Sequence, residues 1–413
     1  MDFRPFRALR PQTQFAAEVA ALPYDVMNTE EARGYIADKP RSFMRIDRAE
    51  TAFEPGHDAH ADEVYAKARE LLDARRADTY IEEKKPCFYL YRQIMDGRAQ
   101  LGLVGTVAAR DSLEGRVKKH EMTRADKEAD RIRHVDTLSA HTGPIFLTYR
   151  KQVGLTEIMN NWILHHDPVY NFKSAEGVHQ TVWVVDDAAR IAEIQEEMAD
   201  CPALYIADGH HRHASAVRVA QERRAALGDA WTGDEEFNYY LAVLFAADEL
   251  KLMDYNRVIR DLNGLSIPAF IAKLEKKFEI EKAEEGERVR PRSPHCFGMA
   301  LGAQWYHLRA KDGTYDPSDP VGSLDVSLLQ ENVIAPILGI TDPRTDTRID
   351  FVGGIRGLRE LERRATSDMQ LAFALYPTSV GELMAIADAG EIMPPKSTWF
   401  EPKLLSGLFI HTF

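Results

Sequence analysis

The sequence predicts a mixed α/β fold, and three stretches carry that expectation. In "LYIADGHHRHASAVRVAQERRAAL" a short apolar run meets a glycine-containing turn, after which Ala216, Val219 and Ala220 recur at helical spacing. In "CFYLYRQIMDGRAQLGLVGTVAA" two alternating runs flank Asp96-Gly97, which is the signature of a β-hairpin. In "QTVWVVDDAARIAEIQEEMAD" a β-rich run passes into a helical pattern.

The remaining elements follow in chain order. "VAALPYDVMNTEEARGYI" brings an apolar run up to Pro23, Tyr24 and Asp25 and then a helix, whose start is marked by Asn28 with Glu31 three residues on, a capping box. "EVYAKARELLDARRA" reads as a second helix, before the hairpin. After the hairpin, "HEMTRADKEADRIRHVDTLSA" reads as a charged helix starting near Thr123, and "GPIFLTYR" as a strand. From about Asp248 the pattern changes, with "FEIEKAE", "HCFGMAL" and "QWYHLRAK" reading as strands separated by turns. The expected division is therefore a nucleotide-binding and catalytic region over 1–247 and a C-terminal mixed α/β region over 248–413. No internal repeat or low-complexity tract interrupts either.

Composition narrows the class. The 413 residues are 45% hydrophobic and 28% charged, the balance of an ordinary globular protein. No apolar run approaches the roughly 20 residues of a membrane helix, and "MDFRPFRALRPQTQ" lacks a signal peptide's apolar core, so a cytoplasmic location is expected. A net charge of -13 argues against general nucleic-acid binding and leaves small molecules as the expected partners. The 3 cysteines, Cys87, Cys201 and Cys296, are odd in number and widely spaced, which predicts reduced thiols and no zinc ribbon.

Two polar clusters stand out. The first is the turn of the opening stretch, which lies where a strand ends and a helix begins, so free backbone N–H groups and the helix dipole favour an anion there. Arg212 offers a planar fork for phosphate or carboxylate, Gly209 allows close approach to the backbone, and Asp208 suits a turn or a metal ion. His210, His211 and His213 complete the cluster, which reads as a phosphate cradle outside the Walker type, since no Gly-Lys-Ser/Thr loop occurs. The second is "KKHEMTRADKEADRIRH", where helical spacing puts Lys127, Asp130 or Arg131, and His134 on one face, with His120 and Glu121 just before it. Lys127 and Arg131 suit phosphate, Asp130 or Glu121 suits magnesium, and Glu121 or His120 suits a hydroxyl proton. The competing reading is a solvated face laced with ion pairs. In "MPPKSTWFEPK", Lys396, Ser397, Thr398 and Lys403 either close over an anionic substrate or pin the chain end.

These residues carry a resemblance. "VAALPYDV", "EEARGYIADKPRSFMRI", "KKHEMTRADKEADRIRH", "GPIFLTY", "YIADGHHRHASA" and "MPPKSTWFEPKLLSGL" resemble, in order, the landmarks of a bacterial and archaeal family catalogued as domain of unknown function number one thousand and fifteen. The sequence departs from it near Lys251, where "LKLMDYNRVIRDLNG" replaces a proline-containing turn. The turn "ADGHHRHASA" is also similar to that of the ParB and sulfiredoxin superfamily, which includes free serine kinases. That similarity implies a ParB/sulfiredoxin-like nucleotide-binding core, ATP or ADP with Mg2+, and a free amino acid, foremost serine, as acceptor. In those kinases a glutamate after the first strand acts on the hydroxyl, which by position implies Glu30 or Glu31, with Glu121 as rival and Asp25 as a substrate contact. The first expectation is therefore a small-molecule kinase. The alternatives are a phosphohydrolase on the same pocket and a nucleotide-sensing regulator without catalysis.

Overall fold

Tyr239–Ala246, "YYLAVLFA", is buried along its whole length, as a run with no polar face must be when both sides of a sheet are covered. In the computed structural model, which describes residues 1–413, the chain divides into two compact units. One comprises Met1–Lys119, Thr123–Leu250 and Pro402–Phe413; the other comprises His120–Met122 and Lys251–Glu401. No helix is long and apolar enough to cross a membrane.

The first unit is built on a mixed sheet of 9 strands. Its main order is Val117–Lys118, Leu204–Asp208, Ile145–Tyr149, Tyr239–Ala246, Arg98–Ala108, Phe88–Met95, His179–Val185 and Tyr170–Lys173, and Phe3–Arg4 adds to Arg98–Ala108. Ile145–Tyr149 runs parallel to Tyr239–Ala246 and antiparallel to Leu204–Asp208, so the sheet changes sense beside the site strand. The hairpin expected at Asp96-Gly97 pairs Met95 with Arg98, and both turn residues have positive φ, 50° and 78°, as a two-residue turn of matching twist requires. A core of Leu103, Leu147, Leu244, Leu155 and Met198 lies between this sheet and helices Val153–His165 and Ala188–Ala199. A second core, including Ala32, Met44, Val64 and Leu138, joins helices Thr29–Ile36, Met44–Asp47, Asp62–Asp78 and Ala125–Leu138. The C-terminal His411–Thr412 pairs with Ala140–His141 and closes this unit.

The second unit holds a six-stranded antiparallel sheet in the order Phe278–Lys282, Gln304–Ala310, Cys296–Leu301, Leu371–Ala374, Tyr255–Ile259 and Ile349–Gly353. Helix Gly357–Ser367 buries Leu361 and Ala365 in its core with Val258, Ala300 and Trp305. All three cysteines are free thiols; Cys87 and Cys201 are buried and Cys296 is half-buried.

One buried acid makes this unit sensitive to pH. Asp325 is buried and accepts the His295 N–H on Oδ1 at 2.7 Å, with the Tyr376 backbone also favouring its charged form. Burial pushes its carboxyl up to about 7, with the His295 N–H opposing and Glu382 adding to the rise. The folded value lies above that of an unfolded chain, so between these values the unfolded chain binds fewer protons and stability falls as pH rises, levelling off above about 7. Asp325→Asn is expected to remove about 2 to 3 kcal/mol of the stability difference between pH 5 and pH 8. Urea unfolding at the two values measures it; an unchanged difference contradicts the assignment.

Candidate functional site

The Leu204–Asp208 strand delivers Asp208 to the mouth of the first unit's sheet, and Gly209 alone makes the turn into helix His210–Leu227. The polar run "DGHHR" reads from sequence as a turn extending through Arg212. The helix instead starts at His210, because Gly209 reverses the chain in one residue with φ 92°, a conformation open to glycine. An added Cβ there would also lie 3.0 Å from Arg212 Cζ, so the glycine gives the arginine room to fold back.

Arg212 donates Nη1 to Pro144 O at 2.5 Å and places Nη2 3.6 Å from Asp208 Oδ2, while its Nε is buried with no partner in the chain. A buried donor left unmade costs about 1–3 kcal/mol, which a ligand oxygen would relieve. Lys403 Nζ reaches the same Asp208 oxygen at 3.5 Å. Burial works to raise the Asp208 carboxyl, but Lys403 and Arg212 overcome it and hold the group below the usual carboxylate range. Asp208 is therefore a fixed anion between two cations.

Helix Ala125–Leu138 packs beside helix His210–Leu227 through the Ser215 Oγ bond to Glu128 O, 3.2 Å, and the Arg124 N–H bond to His211 Nε2, 3.0 Å. Arg131 donates Nε and Nη2 to Asp130 Oδ2 at 2.9 and 2.8 Å and lies over the Tyr24 ring at 4.1 Å. The other oxygen of Asp130 accepts the Tyr65 hydroxyl at 2.8 Å. Both carboxylate oxygens are thus held by the chain, and Asp130 acts as the partner of Arg131 rather than as an open cation ligand. Lys127 is exposed on the same helix. His134 is buried; burial first and then Arg131 push it down to about 3, so it is a neutral ring at physiological pH.

Asp47 joins the two clusters. It is fully buried, accepts Thr142 Oγ1 at 3.1 Å and a further bond from Ser406, and feels both Arg131 and Arg212. Burial raises its carboxyl in spite of those cations. A cavity of 30 Å³ touches Arg212, Asp47, Arg131 and His134, and a larger one of 220 Å³ continues from Asp47, Arg131 and His134 to Arg48, Glu50 and Lys127. The structure thus gathers Asp208, Gly209, Arg212, Arg131, His134 and Lys127 in the first unit.

Glu31 closes the capping box, accepting the Asn28 N–H at 2.9 Å, and Glu30 and Asp25 are exposed near it. His213 faces away from the turn, 2.8 Å from Ser112 Oγ and edge-on to Tyr240, and burial pushes it down to about 4, with Lys119 adding to the fall. His120 and Glu121 belong to the second unit, where His120 Nε2 lies 3.3 Å from Thr398 Oγ1. There Lys396 has φ 58° and Ser397 donates to Pro394 O at 2.6 Å, so this turn is pinned by its own bonds.

Asp47, Arg48 and Glu50 were missed from sequence. The available signal was the charged run "DRAE" directly after the buried "FMRI".

The Leu204–Asp208 strand, the one-residue glycine turn and the start of helix His210–Leu227, with Arg212 and Lys403 beside Asp208, belong to a mixed α/β fold. The chain belongs to the family described as "Protein of unknown function (DUF1015)", whose profile matches residues 3–327. No curated protein matches the sequence. Among solved structures, the chain is similar to a free serine kinase in complex with AMP, at 13% identity and TM-score 0.34, covering 71% of this chain and 86% of that one. It is also similar to a conserved hypothetical protein from Pyrococcus furiosus, at 13% identity and TM-score 0.34 over 74% and 93% of the two chains. A third similarity is to C-terminally truncated SbnI from Staphylococcus aureus, at 13% identity and TM-score 0.36 over 73% and 85%.

Proposed function

We propose that the protein is a nucleotide-dependent kinase that transfers a phosphoryl group from ATP or ADP to the hydroxyl of a free amino acid, foremost serine. The observation that carries this reading is the buried, unpartnered Nε of Arg212 beside Lys403 and the Gly209 turn, which fits a phosphate oxygen at a helix start. In the reaction the acceptor oxygen forms a bond to the terminal phosphorus, the bond to the leaving phosphate breaks, and ADP or AMP departs while the hydroxyl proton passes to a carboxylate.

Such chemistry consists mainly of positioning and charge stabilisation. Arg212 and Lys403 hold the phosphates, Arg131 lies beyond Asp47 to balance charge on the transferring group, and Asp208, held ionised, orients the hydroxyl. Magnesium, when bound, supplies charge neutralisation between phosphates, and Asp208 is the carboxylate that would hold it. The resemblance of the turn to those of free serine kinases points the same way.

Arg212→Ala is expected to weaken ADP binding by about 1.5 to 3 kcal/mol, the loss of one charge-assisted hydrogen bond. Calorimetry on the two proteins measures it. Equal affinity would remove the phosphate cradle and the proposal with it.

A further inference from the structure

The 220 Å³ cavity beside the phosphate turn has an even balance of charge. Arg48, Lys127, Arg131, Asp47, Glu50 and Asp130 line it, with Arg48 bonded to Glu50 and Arg131 to Asp130, and the lining His134 is neutral. A free anion or a free cation entering it meets groups of both signs. A molecule carrying both charges at short separation meets a complement for each.

The local pairing shows where each charge would go. Arg48 is spent on its own loop, donating to Tyr24 O at 2.9 Å, Met27 O at 2.6 Å and Glu50 Oε1 at 2.8 Å. Thr29 Oγ1 donates to the same Glu50 oxygen at 3.2 Å, so these bonds leave Oε2 of a buried carboxylate for a ligand donor. Arg131 is spent on Asp130. Lys127, exposed at the rim, forms none of the chain's ion pairs, so its ammonium serves a ligand carboxylate.

We infer that this cavity is the acceptor subsite and takes a small zwitterionic α-amino acid, with Glu50 receiving its ammonium and Lys127 its carboxylate. The inference rests on the proposed function and adds the recognition chemistry of the acceptor. Asp47 and Arg131 form the wall shared with the smaller cavity that reaches Arg212, so the bound side-chain hydroxyl is directed toward the phosphates.

Calorimetry on the full chain without nucleotide tests this with L-serine, ethanolamine, which lacks the carboxylate, and 3-hydroxypropionate, which lacks the ammonium. L-serine should bind at least about tenfold more tightly than either, since each analogue forfeits one charge-assisted contact. Lys127→Ala, an exposed change that leaves the fold alone, should weaken L-serine by about tenfold or more and leave ethanolamine unchanged. Glu50→Gln should weaken L-serine and leave 3-hydroxypropionate unchanged. L-serine binding no tighter than the two analogues, or wild-type affinity in Lys127→Ala, overturns the inference. ADP titrated separately keeps the two readings apart: ADP binding without L-serine binding ends this inference alone, and L-serine binding without ADP binding ends the kinase reading alone.

Discussion

Arg131→Met is expected to destabilise the first unit by about 3–5 kcal/mol, the cost of breaking a buried ion pair from one side. Arg131 is fully buried, holds Asp130 through two bonds to one oxygen, and is the strongest of the cations opposing the rise of Asp47. Its loss leaves two buried carboxylates without their main counter-charge, and methionine fills the volume without supplying a donor. The two acids also fix the pH dependence. Burial works to raise Asp130, and Arg131 outweighs it to hold the carboxyl below the usual range, so its stabilising contribution is present above the unfolded value and lost as pH falls through the folded one. In the variant both carboxyls rise, the unfolded chain binds fewer protons than the folded one, and the deficit grows from pH 5 to pH 8. Urea midpoints across that range check both statements. A loss below about 1 kcal/mol, independent of pH, would mean that the pair is solvated.

Asp208→Asn is expected to lower turnover by roughly 10² to 10⁴-fold, the usual effect of removing a positioned acid or base. Affinity for magnesium-free nucleotide should be retained or improved, because the change frees Lys403 and Arg212 from a competing anion. This split between binding and turnover separates an orienting carboxylate from a structural one, whose loss would weaken both. Turnover followed by product formation and affinity by calorimetry supply the two readings; wild-type turnover would exclude Asp208 from the chemistry. Glu31→Gln is the matched comparison, since glutamine can keep the bond to the Asn28 N–H that closes the helix cap.

What was legible in the sequence was what local chemistry dictates. Asp96-Gly97 can turn between alternating runs in few ways, Asn28 with Glu31 marks a helix start by its own hydrogen bonds, and Ala216, Val219 and Ala220 repeat at the helical period. The passage from strand to helix at Gly209 was legible, but the length of the turn was not, since one left-handed residue makes it and the following polar residues are already helical. The 220 Å³ cavity was hidden for another reason. Asp47, Arg48 and Glu50 lie on short helical pieces with no period to read, and their burial depends on the helix Asp62–Asp78 folding over them from further along the chain. The return of Lys403 to Asp208, 195 residues apart, is likewise tertiary and leaves no mark in local periodicity.

The central claim, phosphoryl transfer to an amino-acid hydroxyl at the Asp208–Arg212 turn, is tested most directly by phosphorus magnetic resonance. The purified full chain is incubated with ATP or ADP, magnesium and L-serine, and the spectrum is followed over time. A new phosphomonoester resonance should appear only when L-serine is present and be lost in Arg212→Ala and Asp208→Asn. Inorganic phosphate released at the same rate without any acceptor, or nucleotide that binds and stays intact, would contradict the account.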